Sequence, residues 1–366
     1  MSDRIRRSIA IFFGCLLLAN APQRFSIATS PYAFMFPRDH FAHDDYRTEW
    51  WYFTGHLRAP GGHRFGYELT FFRIGLEPRA PAWSRGESKW YAYQLYPAHF
   101  AISDVGGGEF VHYETIARDA LGQGSASESS LDVRAGGWTL TGTPAVQTAM
   151  HLRASHGDDA LDLTVRPQKP PAIHGVGGIS RKGPCASCAS HYYSFSRLIT
   201  RGTLTRGGVR YSVSGISWMD HEFGSDELQA DQSGWDWFSM QLNDGRDLML
   251  YRLRRKDGHT TPQSSGSLID RNGNVVHLPL RAFSISQDGR WVSPHTGAAY
   301  PSGWHIRVAG IGVELVLVPE LLDQELVDSQ GTTYWEGDVD VRDAATGKSI
   351  GAGYVELTGY ASPVRL

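Results

Sequence analysis

Apolar and polar residues alternate here over runs of five to nine positions, not over helical arcs. "YSVSGISWM" (211–219) and "IGVELVLV" (311–318) are β-branched and aromatic runs of this kind. Turn-forming clusters break the chain at short intervals: "APGGHR", "DVGGGE", "RAGGW", "TRGGVR", "NDGR", "KDGH", "DRNGN", "QDGR" and "AATGK". Only "SDELQAD" (225–231) and "PELLDQEL" (319–326) offer modest helix candidates. Short strands separated by Gly/Asp/Asn turns predict an all-β fold, a sandwich or a barrel.

One pattern occurs twice. "EWWYFTGHL…ELTFFR" starts at Glu49 and "GWDWFSMQL…DLMLYR" at Gly234. Superimposed, Trp50 meets Trp235, Phe53 meets Phe238, Leu57 meets Leu242, Leu69 meets Leu248, and Arg73 meets Arg252. Each copy reads as strand, Gly-containing turn, strand, and a hairpin repeated once per half is the mark of two related β-domains in tandem. With 366 residues, too many for one ordinary core, the expected division is 22–200 and 201–366.

Residues 1–21 stand apart. Arg4, Arg6 and Arg7 precede an apolar run from Ile9 to Leu18, then Ala19-Asn20-Ala21, the layout of a secretory signal peptide. The run is too short to span a bilayer. Export to the periplasm is the expectation, with a lipoprotein anchor at Cys15 as the weaker alternative. Cys185 and Cys188 lie in "GPCASCAS", a Gly/Ser/Pro loop. In an exported chain they read first as a local disulfide or as free thiols without function, with metal binding and redox chemistry as alternatives. A net charge of −3 leaves no basic footprint for nucleic acid. Aromatic residues at 12% supply large apolar surfaces.

Six segments give the chain a recognisable cast: "FPRDHFAHDDYRTEWWYFTGHL", "ASHYYSFSRL", "WMDHEFGS", "GWDWFSMQLNDGRDLMLYRLR", "YWEGDVDV" and "GYVELTGY". Together, from Phe36 to Tyr360, they resemble the AttH-like/carotenoid 1,2-hydratase (hydroxyneurosporene synthase) family. The resemblance implies two lipocalin-like (calycin-type) antiparallel β-barrels and a cavity for a hydrophobic isoprenoid or lipid-like molecule. It implies either water addition to a C=C bond or a non-catalytic periplasmic carrier, the latter with a transporter partner in the inner membrane. Hydratase-like relatives carry His followed two places on by Trp in the third segment; this chain has His221 and Phe223.

Hydrating an alkene requires an acid that is still protonated near neutral pH, aromatic faces to steady the cation, and water; it requires no metal or organic cofactor. If "GISWMDHEF" is a strand, alternation sends Asp220 and Glu222 to one side and His221 to the other. The candidate acid–base residues are His221, Asp220, Asp236 and Glu49. The candidate ligand contacts are Trp50, Trp51, His99, Tyr193, Phe223, Trp235, Trp237, Tyr251 and Tyr334, with Tyr192 and Glu336 as further cavity positions. His40, His43, Asp44 and Asp45 precede the first strand and read as an exposed approach loop, a weak metal signal.

Overall fold

A computed structural model describes residues 24–364 except 30, 79–89, 144–148, 226–227 and 328–332. The leader and Cys15 lie outside the described residues. No α-helix occurs among those described. The described part of 225–231 is turn and coil, and 319–326 ends one strand and begins another. In both stretches an apolar period of 3.6 was too short to outweigh strand pairing on either side.

The first sheet takes β1 (Thr48–Arg58), β2 (Arg64–Gly75), β3 (Gln94–Asp104), β4 (Glu109–Arg118), β5 (Gly124–Ala126), β6 (Asp132–Ala135), β7 (Trp138–Gly142), β8 (Met150–His156) and β9 (Asp159–Pro167). It continues through the two-residue β10 (Ala172–Ile173) and β11 (Ser180–Arg181) to the long β12 (Ala189–Arg206) and β13 (Val209–Gly224). Its order is β4-β3-β2-β1-β13-β12-β9-β8-β7-β6-β5, antiparallel throughout. The ends curl together: Phe100 on β3 meets Trp138 on β7 edge-to-face at 5.8 Å.

The second sheet holds β14 (Gln232–Leu242), β15 (Asp247–Arg255), β16 (Ser265–Ile269), β17 (Val275–Pro279) and β18 (Phe283–Gln287). After the β19 (Trp291–Val292) and β20 (Ala299–Tyr300) ribbon come β21 (Trp304–Val308), β22 (Val313–Pro319), β23 (Glu325–Val327), β24 (Thr333–Asp343) and β25 (Ser349–Thr358). The chain is thus two nearly closed antiparallel β-barrels in tandem.

Strand β13 corrects the expected boundary. A division after residue 200 places it in the second domain, yet it pairs with β1 and β12 of the first sheet. Its hairpin with β12 turns through Gly207 and Gly208, both at positive φ (56° and 79°), and Arg206 pairs with Val209 across them. Two left-handed residues match the twist of a tight hairpin, so "TRGGVR" continues one sheet and does not separate two domains.

Each barrel has its own apolar interior. Trp51, Phe53, Leu69, Phe71 and Met219 pack inside the first, and Phe238, Leu250, Trp304, Trp335 and Val355 inside the second. Where the barrels meet, β2 lies against β24, β1 against β25 and β12 against β14. Those strands are therefore buried on both faces. The outward faces of β1, β12 and β13 present Tyr52, Tyr192 and Trp218 to Trp237, Tyr251 and Tyr354 of the second barrel. Anything polar on these faces is sealed in a seam.

Candidate active site

Alternation along β13 divides the "MDHEF" stretch as its sequence requires. Asp220 and Glu222 face the seam, and His221 turns into the first barrel, stacked on Trp51 at 4.8 Å. The three residues therefore belong to two sites.

The seam site is built from carboxyl groups. Asp220 accepts from Tyr192 Oη at 2.6 Å, from Trp218 Nε1 at 2.6 Å and from Ser194. Glu68, on the outward face of β2, accepts from Thr70 at 2.6 Å and Tyr334 Oη at 3.2 Å. Tyr334 in turn bonds His99 Nδ1 at 2.7 Å. From the second barrel, Glu336 on β24 and Glu356 on β25 are direct cross-strand partners. Glu336 accepts from Tyr52 Oη at 2.8 Å, and Glu356 from Trp235 Nε1 at 2.8 Å. Trp237 stands edge-on to Tyr52 at 5.3 Å and donates to Tyr192 Oη.

Burial dominates the electrostatics here. It raises Glu68 and Asp220 to about 7 and Glu356 to about 8, against the hydrogen bonds that pull each of them down. Glu336 is pushed well above the ordinary value by burial and by the neighbouring Glu356 and Glu68. Cross-strand carboxylates repel when both ionise, so Glu336 and Glu356 are held with at least one proton between them near neutral pH. His99 is lowered to about 4 by burial and stays neutral. Glu68 Oε2, Glu336 Oε2 and Tyr354 Oη are buried and make no hydrogen bond to the protein. Four protonatable carboxyls in an aromatic envelope, some with unused oxygen, can deliver a proton to an apolar reactant and take one back.

A cleft of about 270 Å³ is lined by Phe110, His112, His295, Leu321, Leu322 and Asp323. Its Phe110 wall packs on Ala101, Leu326 and Tyr334, the tyrosine bonded to Glu68.

The second site lies inside the first barrel. Glu49 Oε1 is 2.8 Å from both His43 Nδ1 and His221 Nε2, while Oε2 accepts from Arg73 Nε at 2.7 Å and the His43 amide at 3.0 Å. Burial would raise Glu49, but Arg73, His43 and the bond from His221 hold it well below the carboxylate range. Burial would likewise lower His43, and the Glu49 and Asp39 carboxylates overturn that and raise it. His221 is lowered by burial despite Glu49. Tyr193 Oη joins His221 Nδ1 (3.1 Å) to His40 Nδ1 (2.7 Å). Phe223 lies flat on His43 at 3.6 Å.

This corrects the reading of the approach loop. His40, His43 and Asp44 are buried, and only Asp45 is exposed. Arg73, fully enclosed, takes the His43 and Tyr46 carbonyls as acceptors at 2.7 and 2.8 Å and so draws the loop in. Asp236 belongs to neither site. It sits in the second barrel, paired with Arg252 and Arg254 at 2.5 and 2.8 Å and accepting from Tyr360. Two arginines hold it as an ion-pair anchor, so it is not placed to share protons with His221. It is the counterpart of Glu49: in each hairpin a buried carboxylate stands across from its arginine, Glu49 opposite Arg73 and Asp236 opposite Arg252.

Of the expected ligand contacts, His99, Trp235, Trp237 and Tyr334 are at the seam cluster, while Trp51, Tyr193 and Phe223 are inside the first barrel. Trp50 packs at the seam edge. Tyr251 also lines the seam, its hydroxyl bonded to Ser265 at 2.9 Å and its ring beneath Lys182 Nζ at 4.6 Å. Cys185 and Cys188 are joined as a disulfide. The sequence reading missed Glu68 and Glu356. Their one signal is a lone carboxylate in a strand apolar on both alternation phases, "YELTFF" and "YVELTG".

Two lipocalin-like barrels enclosing a seam of buried carboxyls and tyrosines define the class of protein. The chain belongs to the AttH-like family, whose profile matches residues 27–360. A solved structure from Nitrosomonas europaea assigned to AttH is 34% identical, with a TM-score of 0.81, over 91% of this chain and 99% of its own. Kievitone hydratase from Nectria haematococca shares the fold at 16% identity and a TM-score of 0.68, covering 93% of this chain and 98% of its own. CghA does so at 13% identity and 0.55, over 94% and 98%. No curated protein matches the sequence.

Proposed function

We propose that this protein is a cofactor-independent hydratase that adds water to a C=C bond of an apolar, isoprenoid-like substrate in the seam between its barrels. The observation that carries this reading is the set of buried carboxyls, Glu68, Asp220, Glu336 and Glu356, kept protonated toward neutral pH among Tyr52, Trp235, Trp237 and Tyr334. A protonated carboxyl of the Glu336/Glu356 pair gives its proton to the less substituted alkene carbon, and the C=C π electrons form the new C–H bond. The tertiary cation faces the rings of Tyr52 and Trp237. Water then adds its oxygen to the cation, and its surplus proton goes to the carboxylate just formed, which restores the acid. Atoms balance as alkene plus water to alcohol.

A surface cleft with apolar walls in Phe110, Leu321 and Leu322 abuts the cluster that holds Tyr334, the donor to Glu68. The fold shared with a kievitone hydratase supports the same class of reaction. The test is to incubate the full-length protein with acyclic isoprenoids and follow hydrated product by mass spectrometry, in wild type and in Glu336→Gln. Product in the wild type and its loss in the variant support the proposal. A co-purified lipid recovered unchanged, with no hydrated product from any substrate, favours a carrier instead.

A further inference from the structure

We propose that His43, Glu49 and His221 form a binding site for a zinc-type transition-metal dication inside the first barrel. Their donor atoms, one from each residue, lie within 4.8 Å of one another, and all three side chains are buried. They come from separate parts of the chain: His43 from the segment that precedes β1, Glu49 from β1 and His221 from β13. Two imidazoles and one carboxylate are the ligand types that borderline dications take, with a fourth position left for water.

A second observation accompanies the cluster. Each of the three has a partner on the side away from the common point. His43 Nε2 is 3.3 Å from Asp39 Oδ1, His221 Nδ1 is 3.1 Å from Tyr193 Oη, and Glu49 Oε2 is held by Arg73. Metal-ligating histidines are ordinarily oriented this way, with the far N–H given to a carboxylate or another oxygen. The bonds also fit the metal-bound tautomers. With Nδ1 of His43 and Nε2 of His221 facing the ion, Nε2–H of His43 donates to Asp39 and Nδ1–H of His221 donates to Tyr193. The Tyr193 hydroxyl then donates to His40 Nδ1. His43 Nδ1 and His221 Nε2 both converge on the single atom Glu49 Oε1, and a dication can take the place of the protons between them. Phe223 against His43 and Trp51 against His221 flank the three donors with rings.

Such an ion pins the segment 36–45 to the barrel wall. The site lies on the opposite face of β13 from Asp220, so it stands or falls independently of the seam chemistry. The experiment uses full-length protein stripped with a chelator and titrated with Zn²⁺ by calorimetry and with Co²⁺ by visible absorption. The expected result is one equivalent bound, intensified Co²⁺ d–d bands, and a melting temperature that rises with Zn²⁺. His43→Gln and His221→Gln should each abolish the bands, Asp39→Asn should weaken binding 10- to 100-fold, and the control His259→Gln, at an exposed histidine outside both sites, should leave Zn²⁺ uptake unchanged. If the ligand variants do not fold, Asp39→Asn, which keeps all three ligands, decides. Absence of equimolar uptake by the wild type, or unchanged affinity in Asp39→Asn or in either folded ligand variant, overturns the proposal.

Discussion

Replacing Glu356 by Gln isolates the energetic signature of a carboxyl kept protonated by burial. An exposed glutamate ionises near 4.5, and Glu356 in the folded chain near 8. Between those values the native state holds a proton that the unfolded chain has released, so stability falls as pH rises through the window and is level outside it. At about 1.4 kcal/mol per pH unit, the interval costs the wild type roughly 5 kcal/mol by pH 8 relative to pH 4. Glutamine has the same shape, keeps an oxygen for Trp235 Nε1 and cannot ionise. Urea denaturation of both proteins between pH 4 and 8.5 gives the difference directly. The two should be within about 1 kcal/mol of each other at pH 4, the net worth of one altered hydrogen bond. The variant should gain steadily above pH 4.5. A difference that stays constant across the range would refute the claim that Glu356 is protonated in the native seam.

Other consequences are as specific. Arg73→Ala leaves Glu49 buried without its cation and should cost about 3–5 kcal/mol in urea denaturation, as a broken buried pair does. Tyr334→Phe removes a donor from Glu68, so the infrared titration of its protonated carbonyl should move upward in pH, and the loss of its bond to His99 Nδ1 should cost about 0.5–1.5 kcal/mol. Replacing Cys185 and Cys188 by Ser opens a loop of four residues, for which the chain-entropy relation gives about 2 kcal/mol, read from thermal or urea unfolding. Hydration rate should fall as pH rises through about 7 to 8, where Glu68, Asp220 and Glu356 lose their protons; a rate that climbs over this range would point to a base as the limiting group.

Strand periodicity is a local property, and what depends on it alone was legible. The turns every ten or so residues, the repeated hairpin and the division of Asp220 from His221 all follow from a two-residue period. The seam does not, because it pairs residues far apart in the chain. Glu68 and Tyr334 are 266 positions apart, and Tyr52 and Glu336 are 284. Nothing in "YELTFF" says that its outward face will meet another barrel. Polar density also misled: "DHFAHDD" looks solvated, yet the enclosed Arg73 needed acceptors and took them from that segment. Asp236 stands between two tryptophans in the sequence, yet its place is set by two arginines on the next strand.

The most direct test of the central claim is isotope incorporation during turnover. Full-length protein is incubated with an acyclic isoprenoid in H₂¹⁸O and, separately, in D₂O, and the product is read by mass spectrometry and NMR. Hydration by the seam carboxyls predicts one ¹⁸O on the tertiary carbon and one non-exchanging deuterium on the adjacent carbon, both lost in Glu336→Gln. Unlabelled starting material from the wild type, or labelling undiminished in that variant, would contradict it.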